Sequence, residues 1–349
     1  MYFEMTHPIF PKVGNLLNLK YGRGVLEDIT RDRNGYLVVA DAFAYEKFKH
    51  QLLGDYRVYV VKDVEVSTLD ADMAGYEDVS EVVAMGGGMA IDAGKYIAEH
   101  LGKKLHSVPT VLSVNAAFCY KSAMRVNNVV TYMGRIFPEA IYIDLDIIQG
   151  APKHLNISGA SDLLSCITAS YDWKLNSLVT RSHKFSQEIY DGAQELLGLL
   201  AENIDHIRAV DDQGVYFLCE AYRWVGEHSA VMNHTMWESA SEHAMFDNME
   251  RVCKKAFIHG QIIGLTVYFM SLFQGNQHER AVGMLHRLGV DITLNGLGIT
   301  EEQLRAGLST LRQFTEEEGL RYTIINAKPM TEEWIDMAIQ KYYRDFPTL

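Results

Sequence analysis

Short apolar runs alternate with helix-like spacing along the first part of the chain. Runs typical of buried strands cover residues 35–40, 56–61, 81–85, 105–109 and 140–144. Between them, helical spacing of apolar residues covers 43–53, 73–79 and 89–101. Because strands that alternate with helices form a parallel sheet with helices on both faces, the pattern predicts an α/β domain. Ligands of such sheets bind beyond the carboxyl ends of the strands.

The pattern changes after Pro152, where only helical spacing continues. Six segments carry it, at residues 161–175, 185–203, 214–228, 238–257, 260–273 and 301–317. None of this half reads as a strand. We therefore expect an α/β domain over residues 1–155 and an all-helical domain over residues 156–349.

Composition and charge narrow the classes of partner. Hydrophobic residues make up 48% of the 349 residues, and the net charge is −13 with no Lys/Arg-rich block. Nucleic-acid binding needs a basic surface, so this charge argues against it. No apolar run reaches the ~18 residues of a membrane span, and the first residues lack a signal-peptide pattern. Four scattered cysteines without Cys-x-x-Cys spacing indicate free thiols in a reducing compartment. We expect a cytoplasmic protein with no nucleic-acid or membrane partner.

Three consecutive glycines, Gly86, Gly87 and Gly88, end one predicted strand and open a predicted helix. Glycine has no Cβ and tolerates positive φ, so backbone N–H groups there can approach a ligand closely. The N-terminus of the following helix favours an anion. The segment predicts a cradle for a diphosphate, although its spacing is neither Gly-x-Gly-x-x-Gly nor a P-loop. The alternative is an ordinary turn between a strand and a helix.

The helical half contains three candidate metal ligands, Asp162, His243 and His259. A carboxylate with two imidazoles suits a catalytic zinc or iron(II) that keeps open positions. An open position lets the ion polarise a substrate oxygen as a Lewis acid. The alternative is that the histidines are ordinary surface or core residues among the 13 of the chain.

Capping signals place all three candidates near predicted helix starts. Ser158 or Ser161 can cap a helix that has Asp162 in or near its first turn. Ser239 and Glu242 have the spacing of a capping box, which puts His243 near another start. His259 comes just before the next helical segment. Side chains at helix starts can converge on one site.

Five motifs, in order along the chain, resemble those of a known superfamily. Four are Gly86-Gly-Gly-x-x-x-Asp92-x-x-Lys95, Pro109-Thr110-x-x-Ser113, Gly159-Ala-Ser-Asp162-Leu-Leu-Ser, and the pair Ser241-Glu242-His243 and His259-Gly260. The fifth, Ala169-Ser-Tyr-Asp172-Trp173-Lys-Leu175, is similar to one branch in particular. The chain resembles the iron-containing (group III) alcohol dehydrogenases, glycerol dehydrogenase, sn-glycerol-1-phosphate dehydrogenase and 3-dehydroquinate synthase. It is most similar to the glycerol-1-phosphate dehydrogenase branch.

The resemblance implies a Rossmann-like N-terminal domain and a helical C-terminal domain, as in dehydroquinate synthase. It implies zinc or iron on Asp162, His243 and His259, and a homodimer or larger homo-oligomer. It also implies NAD(P) on the glycine side, held by Asp41, at the end of the first core strand, and by motif residues: Gly86, Gly87, Gly88, Asp92, Thr110 and Ser113. Asp41 stands where the family often binds the adenosine ribose. A carboxylate there repels a 2′-phosphate, which favours NAD over NADP.

The substrate side departs from the dehydrogenase pattern. Asn115 stands where these dehydrogenases usually have an aspartate that touches substrate hydroxyls, which puts a polyol substrate in doubt. Lys121 stands where dehydroquinate synthase has a substrate-binding lysine. Lys121 and Arg125 are candidate ligands for a phosphate, phosphonate or carboxylate, and otherwise are solvated side chains. Asp247 replaces a further histidine and shares a helix face with His243, where it either orients the imidazole or faces water.

The resemblance therefore implies an NAD(P)-linked oxidoreductase that interconverts a small, anionic alcohol and its carbonyl on a metal. The most specific expectation is sn-glycerol 1-phosphate and dihydroxyacetone phosphate. One alternative is a sugar-phosphate cyclase that uses NAD transiently; Lys121 favours it, whereas Asp162 and the Asp172-Trp173 segment argue against it. A second alternative is a non-catalytic cofactor-binding protein, since a fold does not guarantee an activity.

Overall fold

The structure is a computed structural model that describes residues 2–3, 9–127 and 129–347 of the chain. The strands are β1 (Tyr2–Phe3), β2 (Leu19–Gly22), β3 (Tyr36–Asp41), β4 (Tyr56–Val61), β5 (Val82–Gly86), β6 (Leu105–Pro109), β7 (Ser122–Val126), β8 (Val129–Met133) and β9 (Ala140–Asp144). The helices are α1 (Val25–Thr30), α2 (Ala42–Phe48), α3 (Val66–Asp72), α4 (Gly88–His100), α5 (Leu145–Gln149), α6 (Lys153–Leu163), α7 (Ser165–Thr180), α8 (Gln187–Ala209), α9 (Asp212–Met232), α10 (Ser241–Cys253), α11 (His259–Gln274), α12 (His278–Leu288), α13 (Leu294–Leu297), α14 (Glu301–Ser309), α15 (Leu311–Glu317), α16 (Ile324–Ala327) and α17 (Glu332–Asp345).

A seven-stranded sheet has the order β1-β2-β9-β6-β5-β3-β4, and every pair is parallel except β1 with β2. Its central strands are buried along their whole length, which explains their continuous apolar runs. All five predicted strands are confirmed. The sequence pattern missed β2 and the antiparallel hairpin of β7 and β8.

The carboxyl ends of three neighbouring strands meet at one edge of the sheet. In register, Ala40 pairs with Met85, and Gly86 pairs with Pro109. Asp41, which ends β3, therefore lies beside the glycine turn that follows β5. This edge is where the fold class places ligands.

The chain forms two compact units. Unit 1 comprises residues 1–156 and 210–232, and unit 2 comprises residues 157–209 and 233–349. Unit 1 contains the sheet and also α9, because the chain comes back to this unit at residues 210–232. The predicted division into residues 1–155 and 156–349 does not contain this second segment. In the described part of unit 2 the regular elements are all helices, as predicted. No helix in the described ranges is both long and apolar enough to cross a membrane.

The prediction of a helix over residues 73–79 is wrong. The helix in this region is α3, which ends at Asp72, and Gly75 then adopts a positive φ of 104°. That backbone conformation cannot continue a right-handed helix. The predicted helix over residues 161–175 is also divided, because α6 ends at Leu163 and α7 begins at Ser165.

An ion cluster of the buried His106 with the partly exposed Arg33 and Glu81 joins the amino ends of β5 and β6 in unit 1. Arg33 pairs with Glu81, and Nε2 of His106 lies 2.9 Å from the other carboxylate oxygen of Glu81. Burial lowers the pKa of His106, and the charge of Arg33 lowers it further. Burial alone would raise the pKa of Glu81, but Arg33 and His106 hold it below its usual value.

We predict that His106 makes unit 1 less stable in acid. The pKa of His106 is lowered in the folded state, so the folded imidazole binds a proton more weakly than the unfolded chain, which takes one up near pH ~6.5. The free energy of unfolding therefore falls as the pH drops below about 6.5. Thermal melting of the wild type and of His106→Gln at pH 7.5 and pH 5 measures this, and the drop in Tm is expected to be smaller in the variant. Equal drops in the two proteins would contradict the prediction.

Candidate functional site

Asp162, His243 and His259 come together in unit 2. Their nearest ligand atoms all lie within 4.8 Å of one another. Nε2 of His259 is 3.3 Å from Oδ1 of Asp162, and Nε2 of His243 is 3.7 Å from the same oxygen. Asp162 is buried, and the two imidazoles are partly exposed. Two nitrogens and one carboxylate oxygen that converge in this way fit a metal ion with open positions.

The two serines that flank Asp162 tie it to the segments of the two histidines. The Ser161 hydroxyl donates to the carbonyl of Gly260, at 2.5 Å, and the Ser165 hydroxyl donates to the carbonyl of Glu238, at 2.6 Å. A side chain at Gly260 would overlap the carbonyl oxygen of Ser158. Glycine at this position therefore allows the start of α11, which carries His259, to reach α6.

The predicted position of Asp162 in a first helical turn is wrong. Asp162 lies at the end of α6, just before the break with α7. The hydroxyl of Ser161 makes its bonds with Gly260 and Ser158 instead of capping a helix start. The predictions for the histidines are confirmed, because His243 is the third residue of α10 and His259 is the first of α11.

Glu242 is the acceptor that orients His243. Its side chain is fully buried, and Oε1 lies 2.8 Å from Nδ1 of His243. The same oxygen accepts the N–H of Ala240 at 2.7 Å, and the hydroxyl of Thr168 donates to Oε2 at 2.7 Å. With its Nδ1 proton directed to Glu242, His243 presents Nε2 to the cluster. Glu242 thus makes the hydrogen bond to the imidazole of His243 for which the sequence suggested Asp247 as a candidate.

The sequence missed this role of Glu242 because its spacing with Ser239 indicated a capping box. The helix instead begins at Ser241, and the methyl group of its N-cap residue, Ala240, cannot accept a capping hydrogen bond. Glu242 does satisfy the N–H of Ala240, so part of the capping function remains. The available signal was a carboxylate directly before a candidate ligand.

The charges around the cluster favour a cation. Burial raises the pKa of Asp162, but the charge and hydrogen bond of His259, with the charge of His243, hold it below its usual value. Burial lowers the pKa of His243, yet Glu242 and Asp162 raise it to about 9. The carboxylates therefore stabilise positive charge at the cluster, which a divalent ion would supply.

Asp172, in the branch-specific motif, is hydrogen-bonded to the segment that carries His243. Its carboxylate accepts the N–H of Ser241 at 3.3 Å, the N–H of Ile324 at 2.7 Å and the side-chain amide of Gln274 at 3.0 Å. Burial raises its pKa to about 7, although these donors oppose the rise. Asp172 therefore fixes the N-terminus of α10, two residues before His243.

The glycine turn and Asp41 meet in unit 1. The N–H of Gly87 donates to Oδ2 of Asp41 at 3.2 Å, and the N–H of Ala44 donates to Oδ1 at 2.8 Å. Gly86 has a φ of 149°, and a side chain there would overlap the Asp41 carboxylate. A carboxylate has about four lone-pair sites, so Asp41 keeps acceptor capacity for ribose hydroxyls.

The loop after β6 lies against the same turn. The N–H of Thr110 donates to the carbonyl of Gly86 at 2.9 Å, and Ser113 follows in this loop. A Cβ on Gly88 would lie 2.8 Å from a methyl of Val114. The glycine turn, Asp41 and Thr110 therefore form one cradle at the carboxyl edge of the sheet. The cofactor role of Asp92 remains a prediction, since its carboxylate lies 2.7 Å from the ammonium of Lys95.

The candidate substrate residues of unit 1 lie on the chain just after this loop. Asn115 precedes a short 3-10 turn, and Lys121 directly precedes β7. Lys121 and Arg125 are four positions apart, with Arg125 inside β7 and Lys121 just before it. Their Cα atoms are on the order of 13 Å apart along an extended chain. Asp247, in unit 2, lies one turn after His243 on α10.

We predict that Glu242→Gln weakens metal binding about 10- to 100-fold, the usual cost of losing an outer-shell acceptor. An amide cannot supply two anionic oxygens to His243, Ala240 and Thr168. Metal titration of the stripped protein by calorimetry measures the change, with His259→Ala as the variant that lacks a ligand. Glu202→Gln, on the exposed side of α8, is the matched control. A wild-type affinity in Glu242→Gln would remove Glu242 from the site.

We predict that Gly86→Ala lowers dinucleotide affinity at least about tenfold, because the Cβ displaces Asp41 and strains a positive-φ backbone. NADH fluorescence titration measures the affinity. Gly102→Ala is the matched control: Gly102 also has a positive φ, of 63°, but open space around its Cβ. The control is expected to lose stability and to keep its affinity. Equal NADH affinity in both variants would contradict a cradle at Gly86.

Comparison with known proteins agrees with this geometry. A sequence model of the family described as iron-containing alcohol dehydrogenase matches residues 25–152. The glycerol-1-phosphate dehydrogenase (NAD(P)+) of Aeropyrum pernix is 28% identical over 289 residues, which cover 81% of this chain and 80% of that one. The corresponding enzyme of Hyperthermus butylicus is 27% identical over 325 residues, covering 89% and 90%.

The fold is also that of solved structures. A probable glycerol dehydrogenase from Sinorhizobium meliloti superposes with a TM-score of 0.71 at 16% identity, over 94% of this chain and 97% of that one. The family model and these relatives agree with the resemblance that the motifs indicate. The chain is therefore similar to the iron-containing alcohol dehydrogenases over residues 25–152 and to glycerol-1-phosphate dehydrogenases over most of its length.

Proposed function

We propose that this protein is a metal-dependent, NAD(P)-linked oxidoreductase that interconverts a small anionic alcohol and its carbonyl. The substrate pair that we propose is sn-glycerol 1-phosphate and dihydroxyacetone phosphate. The observation that carries the proposal is the convergence of Asp162, His243 and His259, with Glu242 holding the imidazole of His243. The relatives of this chain that are named glycerol-1-phosphate dehydrogenase support the substrate.

Three protein ligands suit an ion that, when bound, polarises a substrate oxygen. The chain orients those ligands before any substrate arrives. Ser161, near the end of α6, and Ser165, at the start of α7, bond to the segments that carry the histidines. Asp172 bonds to the start of α10. We propose zinc or iron(II) as the ion, because both accept this mixed nitrogen and oxygen set.

The cradle in unit 1 suits a nicotinamide dinucleotide, which carries hydride when bound. Gly86, Gly87 and Gly88 would hold the diphosphate at the N-terminus of α4, and Thr110 and Ser113 would contact the cofactor from the next loop. Asp41 would accept hydrogen bonds from the ribose hydroxyls. Because its negative charge would repel a 2′-phosphate, we propose NAD as the preferred cofactor.

Lys121 and Arg125 would bind the anionic group of the substrate by charge-assisted hydrogen bonds. Arg125 lies in β7, and Lys121 directly precedes that strand. The ammonium of Lys121 is 5.8 Å from the centre of the Tyr120 ring, a contact that restrains the side chain. Asn115 replaces the aspartate of the polyol enzymes, which favours a substrate with an anionic group over an uncharged polyol.

A sugar-phosphate cyclase remains the second candidate because Lys121 matches the substrate lysine of dehydroquinate synthase. A cyclase would release inorganic phosphate from a sugar phosphate without net change in NADH. Asp162 argues against a cyclase, because the metal-ligand pattern of the cyclases has a glutamate at this place. Phosphate release and NADH consumption therefore separate the two functions.

We predict metal-dependent oxidation of NADH with dihydroxyacetone phosphate. Absorbance measures the rate on protein of known metal content, with phosphonoacetaldehyde and simple aldehydes as comparison substrates. Lys121→Met is expected to raise the KM for the anionic substrate about 10- to 100-fold, the range for a lost hydrogen bond to a charged group. Its effect on an uncharged aldehyde is expected to be smaller.

Lys104→Met is the matched control, because Lys104 is an exposed lysine of unit 1 that pairs only loosely with Glu139, at 3.9 Å. It is expected to keep the wild-type KM. Protein that has bound metal and NADH but oxidises no NADH with any of these carbonyls would refute the proposal. Phosphate release from sugar phosphates in that case would establish the cyclase instead.

A further inference from the structure

Lys95, the lysine of the glycine motif, lies inside unit 1. Its side chain is 1% exposed, and its ammonium is 2.7 Å from Oδ1 of Asp92. Both residues belong to α4, the helix that begins at the glycine turn. Burying an ammonium is costly unless it is paired and its protons are all bound. The partners of Lys95 therefore indicate its purpose.

Three backbone carbonyls from one segment surround the ammonium. Nζ of Lys95 lies 2.9 Å from the oxygen of Ala116, 3.4 Å from that of Cys119 and 2.5 Å from that of Lys121. These carbonyls come from both ends of residues 116–121. An ammonium has three protons and no acceptor, so the three carbonyls can accept all of its hydrogen bonds, and the carboxylate of Asp92 adds an ionic contact.

This arrangement excludes the role that a lysine plays in a P-loop. There the lysine reaches the phosphates of the nucleotide. Here Lys95 lies about two helical turns after Gly88, which is about 10 Å along the helix axis. Its ammonium is enclosed by backbone carbonyls. Lys95 binds the protein's own backbone, so its ammonium has no proton left to donate to a diphosphate.

The anchored segment carries the candidate substrate residues. Asn115 directly precedes it, and Lys121 ends it. Its upstream end is also held, because Thr110 bonds to Gly86 and Val114 packs on Gly88. One helix, α4, thus holds the dinucleotide cradle at its start and the substrate segment at Lys95.

We propose that Lys95 is a positioning residue for substrate binding. By drawing the carbonyls of residues 116–121 onto α4, its ammonium sets where Asn115 and Lys121 lie relative to the glycine cradle. This inference rests on the proposed function for the substrate roles of those two residues. The anchoring of the segment itself rests on the contacts of Lys95 alone.

Lys95→Met tests the proposal against Arg33→Met. Both variants remove a cation of unit 1 that pairs with a carboxylate, Asp92 or Glu81; the Lys95 side chain is buried and that of Arg33 is partly exposed. Arg33 lies at the amino ends of the strands, away from the cradle. Hydrogen–deuterium exchange of peptides over residues 110–125 reports on the segment without activity. The kinetic readout is the split between KM and kcat with dihydroxyacetone phosphate, alongside the NADH affinity.

In Lys95→Met, exchange over residues 116–121 and the KM are each expected to rise about tenfold, the size expected for losing charge-assisted hydrogen bonds. The NADH affinity is expected to change less than about twofold. Arg33→Met is expected to lower Tm and to leave exchange in the segment and the KM unchanged. Lys95→Arg, which keeps the charge, is expected to recover part of the KM.

Unchanged exchange in Lys95→Met, or raised exchange with an unchanged KM, would overturn the proposal. If Lys95→Met does not fold, the double variant Asp92→Asn/Lys95→Met is compared with Asp92→Asn, because the double variant leaves no buried charge. If the wild type turns over none of the substrates, the proposed function fails, and the exchange comparison alone then decides the anchoring role.

Discussion

The candidate metal site depends on one hydrogen bond, between the fully buried carboxylate of Glu242 and Nδ1 of His243. A carboxylate without solvent must have every oxygen satisfied, or burial costs several kcal/mol. Glu242 meets this condition only when Thr168 of α7, Ala240 and His243 are all in place. The condition that stabilises the carboxylate therefore also sets the orientation of the imidazole.

The same constraint extends through short polar bonds around Asp162. Ser161 and Ser165 use their hydroxyls to join the ends of α6 and α7 to the backbone of the segments that carry the histidines. Asp172 adds a third link to the start of α10. Asp162 is thus surrounded by hydroxyl and backbone bonds, and its position follows from where three helices end or begin. Unit 1 uses a related device in Lys95, whose ammonium binds the carbonyls of a neighbouring segment.

The sequence pattern predicted the elements whose burial is visible in their own residues. The continuous apolar runs of β3, β5, β6 and β9 reflect strands buried on both faces, and each was predicted within about one residue. The strand β2 is only four residues long, and β8 has no clear apolar alternation, so neither gives a periodic signal. The helix predicted over residues 73–79 failed because Gly75 takes a positive φ that apolar spacing does not reveal.

The sequence by itself determined the α/β and helical halves, the glycine turn, and the three residues that converge as candidate metal ligands. These features follow from period, from the special freedom of glycine and from the residue types that bind metals. Only the tertiary structure decided that Ser161 bonds Gly260 and does not cap a helix, that Glu242 hydrogen-bonds His243, and that Lys95 binds the segment after Asn115. Each of these depends on which donors and acceptors folding brings together, and a buried polar group takes the partner that satisfies it, wherever that partner lies in the chain.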